Sequence, residues 1–310
     1  MGIAMAEKGD VSDATQSPGD PAAFVAMPAS LYVVAMPLGN ARDLTLRALD
    51  ILRTVDVIAA EDTRVSGPLL RRYGVGTAVQ SLHAHNEARR AATLVAALAG
   101  GKSVALIADA GTPAISDPGA RLVRAVREAG YAVVPIPGPS AVAAAVSAAG
   151  LTAERFAFLG FLPAQAKARR TLLDAVAALS LALVFYEAPH RVRATVGELA
   201  AALGPARDLV VARELTKMFE SIARMPLADA DAWFAADANR ERGEFVLIVD
   251  VAAGEHAETA ALPPEADRWL RAVLQELPPA RAARVIAAAT DFSRDALYER
   301  ALALKPASNR

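Results

Sequence analysis

Short unbroken apolar runs alternate along this chain with stretches in which apolar residues recur every three or four positions. Leu31 to Ala35, Val55 to Ala60, Val104 to Ala108, Ala132 to Ile136, Phe156 to Phe161, Ala182 to Tyr186, Leu209 to Ala212 and Phe245 to Val251 are runs of the first kind. Each suits a strand buried on both faces. Helical spacing follows most of them. Leu46, Leu49, Ile51 and Leu52 come after Asp43, a candidate N-cap; Leu69, Leu70 and Tyr73 are closed by Gly74; a further helix is expected from Ala88 to Leu98. Leu122, Val123, Val126 and Ala129 mark another, and Val196 with Leu199 one that ends near Gly204. Strands alternating with helices predict an α/β fold whose N-terminal part is a parallel, doubly wound sheet. The expected organisation is a tail over 1–29, an α/β lobe over 30–142, a second over 143–252 and a purely helical piece over 262–305. That piece should break at Thr290-Asp291-Phe292 and restart from a cap at Ser293.

One turn is more elaborate than reversal requires. The run from Val104 ends in Asp109, Gly111, Thr112, Pro113, Ser116, Asp117, Pro118 and Gly119 before helical spacing resumes. In open α/β sheets ligands bind at the carboxyl ends of strands, so this is read as a ligand loop. Gly111 lets backbone approach a ligand, Asp109 can accept from a ribose or amino group, and exposed N–H groups at the helix start can hold a carboxylate. The bland alternative makes Asp109 and Ser116 helix caps. Similar polar turns stand at Pro37–Asn40 and Pro137–Ser140.

Composition narrows the chemistry. With 310 residues, 54% of them apolar, the chain has room for two domains and a small third piece. A net charge of -1 gives no whole-molecule attraction to nucleic acid, so any RNA surface must be local. The absence of cysteine excludes disulfides, thiolate metal sites and thiol nucleophiles, and fits a reducing cytoplasm. Tyr131 to Ala153 carries no charge, but Pro135, Pro137, Gly138 and Pro139 split it below membrane-spanning length. Residues 1–29 lack a basic start and a long apolar stretch, and read as a disordered tail or a start-site artefact rather than a signal peptide.

Gly101-Lys102-Ser103 precedes a strand, not a helix, and lacks the first glycine of a phosphate loop; no dinucleotide fingerprint and no zinc-protease motif exist. His83 and His85 would share one strand face, yet no third ligand accompanies them, so no metal is expected. Two strand ends carry clusters of both signs: Glu61, Asp62 and Arg64, and Arg213, Glu214 and Lys217. Each reads either as an ion pair with a helix cap or as substrate-orienting groups. Lys167, Arg169, Arg170, His190, Arg191 and Arg193 form a local basic set, either a solvated face or phosphate contacts.

Taken together these segments resemble a known family. Met36-Pro37-Leu38-Gly39-Asn40, Ala60-Glu61-Asp62-Thr63-Arg64, His83-Ala84-His85-Asn86-Glu87, Asp109-Ala110-Gly111-Thr112-Pro113, Ser116-Asp117-Pro118-Gly119 and Pro137-Gly138-Pro139-Ser140 occur in order. Gly160-Phe161-Leu162-Pro163, Phe185-Tyr186-Glu187 with His190-Arg191, Ala212 to Lys217 and Gly243-Glu244 follow. The series is similar to the small-subunit ribosomal RNA methyltransferase I group of the tetrapyrrole methylase superfamily. The resemblance implies a two-lobed fold with a mixed sheet in the C-terminal lobe, S-adenosylmethionine in the cleft between lobes, and a homodimer. It also implies 2'-O-methylation of a cytidine ribose, cytidine 1402 of 16S rRNA, in the small ribosomal subunit.

On that reading Glu61 or Asp62 takes or orients the proton while Arg64 grips phosphate, with Glu214 and Lys217 as the rival pair. Pro37, Gly39, Asp109, Gly111, Thr112, Pro113, Ser116, Ser140 and Leu162 are expected to hold the cofactor. His83, His85, Lys167, Arg169, Arg170, Arg191, Arg213 and Lys217 are expected to meet RNA. Two other readings stand beside it. One is a tetrapyrrole C-methyltransferase, against which the polar His83–Glu87 and Arg213–Lys217 segments speak. The other is a non-catalytic RNA-binding assembly factor using the tail. That tail carries seven Lys/Arg against six Asp/Glu, a poor electrostatic footprint.

Overall fold

The computed structural model describes residues 23–251, 262, 264–290 and 292–304. Contacts divide the chain into two compact units. One comprises the residues up to Met36 with Leu44–Gly138, the other Pro37–Asp43 with the residues from Pro139 onward.

The first unit alternates strand and helix. Its elements are β1 (Ser30–Val34), α1 (Leu46–Thr54), β2 (Val57–Ala60), α2 (Thr63–Arg72), β3 (Ala78–Ser81), α3 (Glu87–Ala99), β4 (Val104–Ile107), α4 (Ala120–Glu128) and β5 (Ala132–Ile136). All pairings in the sheet are parallel, in the order β3-β2-β4-β1-β5. Successive residues of these apolar strands point to opposite faces. Tyr32, Val34, Ile58, Ala60, Ala105 and Ile107 pack under α1 and α2, while Leu31, Val57, Ala59, Val104 and Leu106 pack under α3 and α4. Continuous hydrophobicity was therefore the correct signal for two-sided burial.

Three local differences from the sequence reading have physical causes. The cap of α1 is Thr45, not Asp43. Thr45 has the extended backbone of an N-cap, and its hydroxyl accepts from Ala48 N–H at 3.2 Å. His83 and His85 are not on a strand. β3 ends at Ser81, and the Asn86 side chain accepts from His83 N–H at 2.9 Å, closing a turn ahead of α3. The tail expected over 1–29 lies outside the described residues as far as residue 22. Beyond it Phe24 N–H donates to Asp50 Oδ2 at 3.0 Å and Ala26 N–H to Thr54 Oγ1 at 3.1 Å, so this stretch is tied to α1.

The second unit begins its regular structure with α5 (Ala141–Ala148). Then come β6 (Phe156–Phe161), α6 (Ala166–Val176), β7 (Ala182–Glu187), α7 (Val192–Leu203), β8 (Asp208–Arg213), β9 (Ser221–Pro226), α8 (Ala230–Ala235) and β10 (Phe245–Val249). The sheet order is β6-β7-β10-β8-β9; only β6 and β7 are parallel, so the sheet is mixed. Its faces are again apolar on both sides, one against α6, α7 and α8, the other against α5. β9 alternates exposed and half-buried positions, as expected of an edge strand with one dry face. Its sequence, Ser221-Ile222-Ala223-Arg224-Met225-Pro226, gives no apolar run to detect. Three helices, α9 (Pro264–Val273), α10 (Pro279–Ala289) and α11 (Arg294–Leu304), close over their own core of Ala266, Leu270, Ala283, Ile286, Leu297 and Ala301. Ser293 Oγ accepts from Ala296 N–H at 3.5 Å at the start of α11; Asp291, in the expected break, lies outside the described residues.

Candidate functional site

The first sheet has a topological switch at β4. The chain leaves β1 and β2 for α1 and α2 on one face, but leaves β4 for α4 on the other. Loops from neighbouring strands therefore diverge around the carboxyl end of β4, the arrangement that opens a ligand crevice in such sheets. The loop after β4 is fixed there by a two-bond bridge to the end of β1: Met36 N–H donates to Gly111 O at 2.8 Å and Gly111 N–H to Met36 O at 2.9 Å.

That loop holds unusual backbone. Gly111 has φ +71°, and Ala114 and Ser116, which carry a Cβ, have φ +65° and +68°. Left-handed conformations at non-glycine residues cost energy and concentrate at functional loops. Gly119 closes the loop at φ +132°, and a Cβ there would come within 2.6 Å of Leu106 Cδ2, so a larger residue would be strained and would displace the buried Leu106.

Register alone brings the carboxylates together. Ala60 pairs with Ile107, so Glu61 and Asp109 leave adjacent strands side by side. Asp109 Oδ1 accepts from Asp62 N–H at 3.1 Å and from Ser66 Oγ at 3.4 Å, and Asp109 N–H points at Glu61 Oε2, 3.5 Å away. Burial, then the neighbouring Asp109 charge, pushes the Glu61 carboxyl above the ordinary range. Asp117 is pushed up to about 7 by burial and by the charges of Glu61 and Asp109. Three carboxyls thus share one place; the Arg64 guanidinium, already gripped by Asp62, acts on Asp109, and no cation among the described residues offsets the rise at Glu61 or Asp117.

Asp62 behaves differently. It N-caps α2, accepting Arg64 N–H at 2.8 Å, and its carboxylate is gripped by the Arg64 guanidinium at 2.6–3.1 Å. Those hydrogen bonds hold it down at about 2. Arg64 is otherwise exposed.

The start of α4, expected to present free amides to a ligand, is already capped. Glu87 Oε1, from the first turn of α3, accepts from Gly119 N–H and Arg121 N–H, each at 2.9 Å, and from Leu122 N–H at 3.4 Å. Glu87 is buried, and Gly119 has no side chain to cap with, so an acidic residue 32 positions away supplies what the helix dipole asks for. Neither Asp109 nor Ser116 caps it. The amides left for a ligand are those of the loop itself.

The second unit contains the rival cluster. Lys217 Nζ bonds Glu214 Oε1 at 2.8 Å and Glu244 Oε2 at 2.9 Å. Glu214 also accepts Glu244 N–H at 2.9 Å, and Glu214 N–H donates to Glu244 O at 2.9 Å. Burial raises the Glu214 carboxyl, but the Lys217 ammonium and the Glu244 amide outweigh it and leave the group below its usual value. Burial lowers Lys217, and the two carboxylates outweigh that, so the ammonium titrates above its usual value. Gly39 and Gly243 belong to this cluster: a Cβ on Gly39 would lie 2.4 Å from Lys217 Cγ, and one on Gly243 2.4 Å from Glu214 Cγ.

The remaining expected residues belong to the second unit or to the loop before α3. Leu162 is buried in the second unit's core, and its carbonyl accepts from Arg191 at 2.8 Å. Pro37 also lies in the second unit, and Ser140 stands before α5 without a side-chain cap bond. Of the expected RNA contacts, Arg169 pairs with Glu198 and two carbonyls, Arg191 with Glu187, and Arg170 reaches Asp174 at 4.0 Å. Arg213 spends its donors on the carbonyls of Asn239, Arg242 and Phe219 and on Ser221 Oγ. Lys167, His83 and His85 are exposed. Among the described residues no cluster could hold a metal ion, and no helix is long and apolar enough to cross a membrane. Asp117 and Glu87 were not singled out from the sequence. Asp117 stood in the visible Ser-Asp-Pro-Gly quartet, but only the fold shows what it faces.

Comparisons with known proteins show the family. The profile of the tetrapyrrole (corrin/porphyrin) methylases matches residues 30–231, and that of the RsmI C-terminal HTH domain matches residues 260–305. The ribosomal RNA small subunit methyltransferase I of Escherichia coli O157:H7 is 47% identical over 88% of this chain and 94% of its own length. Its Vibrio cholerae counterpart is 48% identical over 87% and 93%. Among solved structures, a cobalt precorrin-4 methyltransferase superposes with TM-score 0.54 at 19% identity, covering 71% of this chain and 95% of its own. A uroporphyrin-III C-methyltransferase from Thermus thermophilus gives 0.52 at 22%, covering 74% and 98%. At those identities the structural likeness speaks for the fold alone.

Proposed function

The chain belongs to the tetrapyrrole methylase family, in its small-subunit ribosomal RNA methyltransferase I group, and we propose that it methylates the ribose 2'-oxygen of cytidine 1402 in 16S rRNA. The observation that carries this reading is identity near one half with rRNA methyltransferases over the α/β units and the helical tail together. The tetrapyrrole enzymes share only the fold. S-adenosylmethionine is the methyl donor.

The residues of the β4–α4 loop fit that cofactor. Asp109 Oδ2 has no partner among the described residues and can accept from a hydroxyl or ammonium, Gly111 allows close backbone approach, and the uncompensated carboxyls favour a cation. Asp109, Gly111, Thr112, Pro113 and Ser116 would hold it. When bound, the cofactor supplies an electrophilic methyl on a sulfonium.

The chain's task is then to hold the ribose hydroxyl in line and to accept or orient its proton. We assign that task to Glu61, with Asp117 beside it. A proton acceptor works best when its pKa lies near the operating pH, and these are the carboxyls pushed upward. Asp62 is too weak a base while Arg64 and the α2 amide hold it, and its role is to orient Arg64 toward phosphate. Glu214 and Lys217 neutralise each other and act as a staple. The enzyme is read as a cytoplasmic homodimer acting on the small ribosomal subunit, as the family resemblance implies.

The test is incubation of purified protein with labelled S-adenosylmethionine and small subunits from a strain lacking the modification, followed by mapping of the label. Label on the single ribose 2'-oxygen of cytidine 1402 is the expected result. Tight cofactor binding with no label on RNA would move the reading to a small-molecule methylase.

A further inference from the structure

The arginines expected to meet RNA are mostly consumed inside the protein, which raises the question of which cations are free. Around α6 and α7 most are held in ion pairs: Arg169 with Glu198, Arg191 with Glu187, Arg193 with Asp231 and Glu241, leaving Lys167 and the weakly paired Arg170 exposed. α3 and α4 differ. They lie side by side on one face of the first sheet, with Glu87 joining their N-termini. Together they carry Arg89, Arg90, Arg121, Arg124 and Arg127. Their carboxylates are Glu87, buried and spent on three amides, and Glu128. None of the five guanidinium groups has a hydrogen-bond or ion-pair partner among the described residues. Arg90 Nε is moreover shielded from solvent without a partner, a donor left unmade.

Placement adds to charge. Helices following parallel strands start at the strands' carboxyl edge. Arg89 and Arg90 lie in the first turn of α3, and Arg121 and Arg124 at the start of α4. They therefore stand at the edge that carries Glu61, Asp109 and Asp117. Arg121, Arg124 and Arg127 recur every three residues, a row running along the helix away from that edge for about 9 Å. The loop before α3 adds the exposed His83 and His85, and Lys102 follows α3. Planar, permanently charged guanidinium groups suit bidentate phosphate contacts.

From this juxtaposition we propose that the α3–α4 arginine face binds the phosphate backbone of the substrate RNA and leads it to the carboxyl edge of the first sheet. The proposal rests on the RNA-methyltransferase reading. It explains how a chain of net charge -1 can bind a polyanion: on the α3–α4 face five arginines stand together without ion-pair partners among the described residues.

The test compares the full-length protein with two variants, R121Q/R124Q/R127Q and R89Q/R90Q. Binding is measured to unmodified small subunits and to an rRNA fragment bearing the decoding region, over a salt series, with S-adenosylmethionine affinity measured by calorimetry. The expected result is RNA affinity about tenfold or more weaker for the triple variant, with the slope of log K against log salt reduced by about 2, since each single-strand phosphate contact contributes about 0.7. Cofactor affinity should not change in either variant. RNA affinity and salt slope indistinguishable from the parent protein's in both variants would overturn the proposal. So would loss of binding to phosphatidylglycerol vesicles with RNA binding intact, which would assign the face to a membrane. A parent protein that binds RNA but transfers no methyl group would sink the functional reading, while the arginine face would still be judged by the salt slope. A parent protein that binds no RNA overturns the face.

Discussion

Two clusters in this molecule look alike in sequence and differ in physics. Glu61-Asp62-Thr63-Arg64 follows β2, and Arg213-Glu214-Leu215-Thr216-Lys217 follows β8; each mixes acids and bases at a strand's carboxyl end. In the second, every charge has an answer. Lys217 sits between two carboxylates, Glu214 also caps an amide, and the backbone accepts left-handed conformations at Glu214 and Thr216 to bring this about. In the first, Arg64 takes Asp62 out of play, and Glu61 is left to face Asp109 and Asp117. A cluster whose charges cancel stabilises a fold. A cluster held together with its charges uncancelled is costly to the fold and is the better candidate for chemistry.

The comparison breaks first at Glu61. Glu61→Gln should lower kcat by about 10²-fold or more, the usual contribution of a positioned proton acceptor, with thermal stability unchanged or raised. If Glu214→Gln instead produced that loss and Glu61→Gln did not, the roles assigned here would be reversed. Next comes the scaffold of the loop. Glu87→Ala removes the cap of α4 and leaves three amides short of a partner, and should cost about 2–3 kcal/mol of stability in a denaturant titration. Glu214→Gln should cost about 1 kcal/mol, because Lys217 keeps Glu244 and is partly solvated.

The last effect is pH-dependent. The Asp117 carboxyl is raised from 3.8 to about 7, so the folded state binds its proton more tightly than the unfolded chain does. Its ionisation therefore costs no stability below pH 3.8, costs progressively more between 3.8 and about 7, and the full amount above. Asp117→Asn should stabilise the protein at pH 8 by about 1–2 kcal/mol, a figure reduced for partial solvent exposure, and leave it unchanged near pH 4. Equal stability of the two proteins across that range would mean that Asp117 does not share its site with Glu61 and Asp109.

Much of this was legible in the chain. The apolar runs located most of the strands because two-sided burial leaves no alternation to confuse, and the polar turn after β4 was visible as a long loop at a strand's carboxyl end. Three features were not legible. β9 carries Arg224 and Pro226 and offers no apolar run. The cap of α1 fell to Thr45 because backbone geometry, not residue preference alone, selects a cap. Arg169 and Arg193 looked available because nothing in local spacing reveals that Glu198 and Asp231, 29 and 38 residues away, answer them.

The sequence by itself determined the alternation of most strands and helices and the two α/β units with a helical tail. Those follow from short-range periodicity and turn chemistry, which act over a few residues. Tertiary structure alone decided which charges are spent and which are free. Glu87 reaches across 32 residues to cap α4, Asp117 comes to share a site with Glu61, and Arg121, Arg124 and Arg127 find no partner among the described residues. Coulomb energy and desolvation depend on distance in space and on burial, and neither quantity exists until the sheet register has set which strand ends are neighbours.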